Sequence, residues 1–270
     1  LPKMDGFEVC RRIKADPATR LTPVVFLTGL DAREHRIAGI NAGADDFLGK
    51  PYNLEELRAR VHSLMQLKHY TDDLESAESV IMSLALTVEA RDAYTNGHCQ
   101  RLSAYARTLG AEIGLPDEEL EALRRGGYLH DVGKVGIPDA VLLKPSKLTD
   151  AEFELMQRHT TIGDDLCGDM RSLAPVRPIV RHHHERLDGS GYPDGLSGGD
   201  VPLVAQIVGI VDAYDAMTTT RPYRQARPTR EACTELVADA RHGKFDLSLV
   251  DAFVSLVGTQ GADQSATAAD

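Results

Sequence analysis

The sequence predicts a mainly α chain: a large all-helical domain, preceded by a partial α/β segment and a long connecting helix. Three observations predict it. Residues 1–60 alternate short helical patterns with short apolar runs. From Leu54 to about Val88 apolar residues recur at three- and four-residue steps, and the pattern stays almost entirely helical from there to about Val257. At 270 residues the chain has room for one large domain or two ordinary ones, with ample core.

In the first segment, "FEVCRRIKA" has helical spacing, "TPVVFLTG" is a short buried strand, and "DAREHRIAGINAG" is a helix closed by Gly43. "DDFLGKP" is a second short strand, and "NLEELRARV" opens another helix with Asn53 as its N-cap. Residues 1–60 resemble the second half of a response-regulator receiver domain. The matching pieces are Leu1-Pro2-Lys3-Met4-Asp5-Gly6, the strand-end Thr28, Ala42-Gly43-Ala44-Asp45-Asp46 and Lys50-Pro51. The resemblance implies that Thr28 and Lys50 are the switch pair that binds and reports a phosphoryl group. It also implies a cognate sensor histidine kinase wherever the full receiver exists. The phospho-acceptor aspartate and the first strands are not in this sequence, so the segment is read as a truncated receiver. Half a parallel sheet would leave an apolar edge uncovered.

The 54–88 stretch carries Leu57, Val61, Leu64, Leu67, Leu74, Ala77, Ile81, Leu84 and Val88 with charges between them. It reads as a connecting helix packed on its own domain, or as a signalling helix paired with its twin in a homodimer. The small polar end, "GTQGADQSATAAD" (258–270), reads as a disordered tail. No internal repeat is present.

Composition narrows the function classes. No apolar stretch approaches the ~18 residues of a membrane span, and no signal-peptide pattern opens the sequence. Cys10, Cys99, Cys167 and Cys233 lie far apart without a CxxC pair, which argues against a disulfide framework or thiolate zinc site and for a reducing cytoplasm. A net charge of −11 argues against binding a nucleic-acid polymer, but not against one small anionic ligand.

The chemistry concentrates in histidine and aspartate. Six of the ten histidines fall between 98 and 184. His130-Asp131 sits where an apolar helix runs into Gly133, Gly136 and Pro138, so both side chains reach a site beside the helix end. Imidazole with carboxylate suits iron, manganese or zinc, and a carboxylate can bridge two ions. His159 is read as closing a helix announced by the capping box Thr149-Asp150-Ala151-Glu152, with Phe153 and Met156 as its apolar side. Three consecutive histidines, His182 to His184, precede a glycine-dense loop that exposes backbone N–H groups. In "VPLVAQIVGIVDAYDAM", Val204, Val208 and Asp212 share one apolar face, with Asp215 a turn further on. A carboxylate there needs a salt bridge or a metal.

Residues 79–257 resemble the HD-GYP domains, a branch of the HD metal-dependent phosphohydrolases. The match runs through Arg91-Asp92-Ala93-Tyr94-Thr95-Asn96-Gly97-His98, His130-Asp131-Val132-Gly133-Lys134, Ile137-Pro138-Asp139 and Leu142-Leu143-Lys144-Pro145. It continues through His183-His184-Glu185-Arg186-Leu187-Asp188-Gly189-Ser190-Gly191-Tyr192-Pro193. It closes with Asp212-Ala213-Tyr214-Asp215-Ala216-Met217-Thr218 and Arg221-Pro222-Tyr223-Arg224. The long HHExxDGxGYP element is the most specific of these.

The resemblance implies metal ligands at His98, His130, Asp131, His159, His183, His184 and Asp212, with Asp131 bridging and His182 spare. It implies catalytic roles for Asp131 and Lys134, and substrate contacts from Lys134, Gly191, Tyr192, Asp215, Arg221 and Arg224. Glu185 would be a conceivable base, or would brace a ligand histidine. The implied substrate is the bacterial second messenger cyclic di-GMP, cut to linear pGpG and slowly, if at all, on to GMP. Members with three metals carry a glutamate four residues before the first histidine ligand. Tyr94 stands there, so two divalent metal ions are expected, iron or manganese ahead of zinc or nickel. Competing readings are an HD phosphohydrolase acting on other nucleotides or (p)ppGpp, and a cyclic di-GMP sensor or diguanylate-cyclase docking module.

Overall fold

The computed structural model describes residues 4–29, 33–91, 97–220 and 225–266. It divides into two compact units, Leu1–Val80 and Ile81–Asp270, and the division falls inside one long helix.

The first unit runs α1 (Gly6–Ala15), β1 (Val25–Thr28), α2 (Arg33–Asn41) and β2 (Asp46–Gly49), then enters α3 (Leu54–Arg91). The Asp5 side chain caps α1 by accepting from the Glu8 N–H at 2.7 Å. The two strands pair in parallel, Val25 against Asp46 through Thr28 against Gly49, with α2 as the crossover. Phe7, Phe26 and Phe47 form the aromatic filling, with Phe26 and Phe47 stacked 5.8 Å apart. The Lys50 N–H donates to the Thr28 carbonyl at 2.6 Å, so Thr28 and Lys50 stand side by side at the carboxyl ends of the strands. Asn53 caps α3 through its side chain, which accepts from the Glu55 N–H at 2.7 Å.

The second unit is helical, as its apolar spacing predicts. It comprises α4 (His98–Glu112), α5 (Asp117–Leu129), a 3₁₀ turn (Val132–Gly136), α6 (Asp139–Leu142), α7 (Asp150–Gln157) and α8 (His159–Gly168). α9 (Arg177–His182), α10 (Leu203–Thr218), α11 (Thr229–Arg241) and α12 (Leu247–Ala266) complete it. α10 is the central helix: Ala205, Ile207, Val208, Ile210 and Val211 are buried, and it packs against α4, α5, α9 and α11. Leu102, Leu109, Leu123, Leu236 and Phe253 close the core around it.

Two glycines set the approach of elements that carry polar residues. A Cβ on Gly133 would lie 1.8 Å from the His159 carbonyl oxygen, so the 3₁₀ turn rests directly on the start of α8. A Cβ on Gly209 would lie 2.6 Å from the His183 carbonyl oxygen, which brings α10 against the end of α9.

Two sequence expectations change. His159 opens α8 instead of closing α7: Arg158, the C-cap of α7 and N-cap of α8, donates its N–H to the Leu155 carbonyl, which tightens the last turn of α7 and re-aims the chain. Part of the stretch expected to be a disordered tail instead continues α12 to Ala266, by propagation from the turns that Val250, Phe253 and Val257 anchor in the core. The four cysteines are all buried and unpaired with one another. No described helix is long and apolar enough to cross a membrane.

Candidate metal centre

α4, α5, α8, α9 and α10 deliver histidine and aspartate side chains to one place. Two donor groups form there: Asp131, His159, His183 and His184, and His98, His130 and Asp212. Within each, the donor atoms lie within 4.8 Å of one another. The seven residues proposed as ligands from sequence are thus brought together, while His182 is turned away, its Nε2 lying 2.9 Å from Asp194.

The tautomers follow from the backbone. A carbonyl oxygen only accepts, so each Nδ1 that meets one carries a proton. His130 donates Nδ1–H to Gly127 at 3.0 Å, His159 to Met156 at 2.8 Å, and His183 to Ile179 and Val180 at 3.1 Å. His98 Nδ1 is instead held by the Asp215 carboxylate at 2.8 Å. The Nε2 lone pairs therefore converge: His98 and His130 are 3.3 Å apart at Nε2, and His159 and His183 3.5 Å. Facing lone pairs repel, and a cation between them removes the repulsion.

Asp131 stands between the groups. Its Oδ2 lies 3.2 Å from His130 Nε2 and 2.7 Å from the Lys134 ammonium, and its Oδ1 lies 3.3 Å from His159 Nε2. With its proton on Nδ1, His159 offers Oδ1 no donor, and this buried oxygen has no hydrogen-bond partner among the described residues. An orphaned carboxylate oxygen facing imidazole lone pairs fits a metal site, and nitrogen with carboxylate oxygen suits iron, manganese or zinc.

The charge states of Asp131, His159, His183 and His184 agree with this. Burial opposes ionisation of Asp131, but the positive charge around it, the Lys134 ammonium foremost, holds the carboxyl well below its usual range. Burial holds His159, His183 and His184 below the ordinary histidine range, which favours the neutral ligand form. For His98, burial acts in the same sense but the Asp215 and Asp212 carboxylates overcome it and raise its pKa. Asp212 is part-buried, with Oδ1 3.6 Å from His98 Nε2.

Three residues expected at the substrate or as a base make other contacts within the protein. Asp215, expected against substrate, is buried behind His98. Arg101 grips its carboxylate at 2.6 and 2.9 Å, so it has no edge to offer a ligand. Glu185 neither faces the donor groups as a base nor braces a histidine. Its buried carboxylate accepts from the N–H groups of Asp194, Gly195 and Leu196 at 2.7–3.1 Å and so folds the glycine-rich loop. Gly191 packs closely on the chain that precedes the loop, since a Cβ there would lie 2.4 Å from Glu185 Cα and Arg186 N.

Tyr192 does reach the site. Its ring lies 4.7 Å from that of His184, and burial pushes its phenol pKa up. The end of α3 also touches the turn that carries Lys134, since Arg91 donates to the Lys134 carbonyl at 3.3 Å and pairs with Asp139 at 2.6 Å. Arg221, Arg224 and Tyr94 lie outside the described residues.

Arg101 is the residue that sequence reasoning missed. Its signal was present: His98/Arg101 on α4 and Asp212/Asp215 on α10 are both spaced one turn apart, so the two pairs meet rung to rung.

Comparison with known proteins decides the family. The HD domain model matches residues 80–249. The chain belongs to the HD domain family. The receiver domain model of response regulators matches residues 1–62 of this HD-domain chain. Among curated relatives, it is 37% identical to the "Cyclic di-GMP phosphodiesterase response regulator RpfG" of Xanthomonas campestris, over 94% of this chain and 72% of that one. It is 35% identical to a "Probable cyclic di-GMP phosphodiesterase" of Vibrio cholerae, over 94% of this chain and 65% of that one. The solved structure of Bd1817, a HDG"Y"P protein from Bdellovibrio bacteriovorus, superposes with a TM-score of 0.50 at 24% identity, over 60% of this chain and 51% of that one, which shows the shared fold.

Proposed function

We propose that this HD-domain chain is a phosphodiesterase that opens cyclic di-GMP to linear pGpG at a two-metal centre. The observation that carries it is Asp131, an ionised carboxylate whose two oxygens face two separate histidine groups and whose Oδ1 lacks a donor. The names of its relatives at 35–37% identity supply the substrate.

His98, His130 and Asp212 would hold one divalent ion and His159, His183 and His184 the other, with Asp131 between them. Iron or manganese suits this donor set, with zinc or nickel next. Such ions supply activation of a water and polarisation of a phosphoryl oxygen. The protein's own part is then placement and charge. Lys134 beside Asp131 offers N–H donors to the non-bridging phosphate oxygens and offsets the charge that builds as the ribose 3′-oxygen departs. Tyr192 walls one side against His184. Gly191 and Glu185 hold the loop that carries Tyr192. The decisive assay incubates metal-loaded protein with cyclic di-GMP. Accumulation of pGpG supports the reading, and tight binding without turnover under both iron and manganese would replace it with a sensor.

The natural partner for α3 is a second copy of the chain. Leu67, Tyr70, Leu74 and Leu84 are exposed along it and fall on the a and d positions of one heptad register.

A further inference from the structure

We propose that Phe153 is the surface on which a purine base of the substrate stacks. The inference rests on the cyclic di-nucleotide reading above and deepens it.

Phe153 stands at the position of α7 where an apolar side chain commonly staples to the residue before the N-cap, here Leu148, a contact that an aliphatic residue makes as well. The helix fully buries none of its residues. It is held by its capping box, in which Thr149 and Glu152 satisfy each other's backbone N–H groups, and by the Lys144–Glu152 ion pair. Neither device needs an aromatic ring. Yet Phe153 stands in the first turn with 46% of its surface open to solvent, although an exposed ring forgoes the gain of burial.

Its ring contact among the described residues leads to the metal centre. Phe153 meets Tyr192 edge to face, with centroids 6.1 Å apart and planes at 82°. Tyr192 in turn lies 4.7 Å from His184 and 6.4 Å from His159. A row of rings thus runs from the proposed ligands to the protein surface, and Phe153 is its outer, solvent-open end. A phosphodiester at the donor groups carries its bases outward from the phosphorus. The chemistry that meets an outlying purine without reading its edge is an open aromatic surface. Phe153 would therefore set affinity for the nucleotide, and Lys134 with the donor groups would set the chemical step.

The test is steady-state hydrolysis of cyclic di-GMP by the metal-loaded full chain carrying Phe153→Leu or Phe153→Tyr, with bound metal counted in each. Leucine keeps apolar packing against Tyr192 but removes the stacking surface; tyrosine keeps the surface. Phe153→Leu should raise KM about tenfold with kcat and metal content unchanged, and Phe153→Tyr should restore the wild-type KM. A cyclic dinucleotide carrying 2-aminopurine should be quenched on binding to wild type and to Phe153→Tyr, but not to Phe153→Leu. Wild-type turnover together with an unaltered Phe153→Leu KM overturns this inference alone. A metal-loaded wild type that leaves cyclic di-GMP intact overturns the substrate reading, and this inference with it.

Discussion

Asp131 and Lys134 sit 2.7 Å apart and are assigned different work, so they should separate experimentally. Asp131→Ala removes the carboxylate whose two oxygens face the two donor groups, and should abolish turnover and deplete bound metal together. Lys134→Ala removes the ammonium proposed to meet phosphate and leaves all seven donor side chains in place. It should keep its metal while kcat falls about 10²–10³-fold, the usual loss for one transition-state donor. Metal analysis of both purified variants, read beside their rates, checks the split. Asp215→Asn tests the support behind His98. An amide cannot hold the Nδ1 proton as the carboxylate does, and Arg101 loses its charged partner. Metal affinity should fall about 10–100-fold at the His98 group, seen as loss of one ion on mild dialysis. Retention of both ions would show that His98 needs no such anchor.

Among the elements, the glycine-rich loop shows how far the sequence was legible. Its glycines stood out in the sequence, and the structure gives one of them a close approach that the sequence did not identify, that of Gly191 to the Glu185–Arg186 backbone. A glycine pattern reports that something must come near, and only the folded chain says what. His182 to His184 pose the same difficulty. Consecutive residues on a helix point in three directions, and which two face inward depends on α9 ending at His182. His130-Asp131 was easier, because a polar pair at the end of an apolar helix has few structural reasons to exist. The one-turn spacings of His98/Arg101 and Asp212/Asp215 were visible, but the meeting of the two pairs was not, because Arg101 and Asp215 lie 114 positions apart. Gly191→Ala should destabilise the domain by about 1–3 kcal/mol through overpacking, visible as a lower denaturation midpoint. A midpoint equal to wild type would show that the loop moves freely off Glu185.

The whole domain should carry the cost of its buried histidines in its pH response. His159, His183 and His184 have folded-state pKa values below the ordinary 6.5. Above 6.5 both folded and unfolded states leave them neutral, so they contribute no slope. As pH falls below 6.5 the unfolded chain takes up protons that the folded metal-free domain refuses, and stability must decline. Metal-free protein should therefore lose denaturation midpoint progressively below about pH 6.5. Bound metal should raise the midpoint at neutral pH and be released as protons compete for the same lone pairs. A metal-free midpoint that does not change between pH 7 and 5 would contradict the neutral, inward-facing imidazoles.

The central claim is that one carboxylate organises two ions. The measurement that tests it most directly is metal stoichiometry of anaerobically purified wild type and Asp131→Ala, with cyclic di-GMP turnover recorded on the same samples. The expected result is about two ions per wild-type chain, with both turnover and metal lost in the variant. Three tightly bound ions per chain, or an Asp131→Ala protein that keeps its metal and cleaves at the wild-type rate, would contradict it.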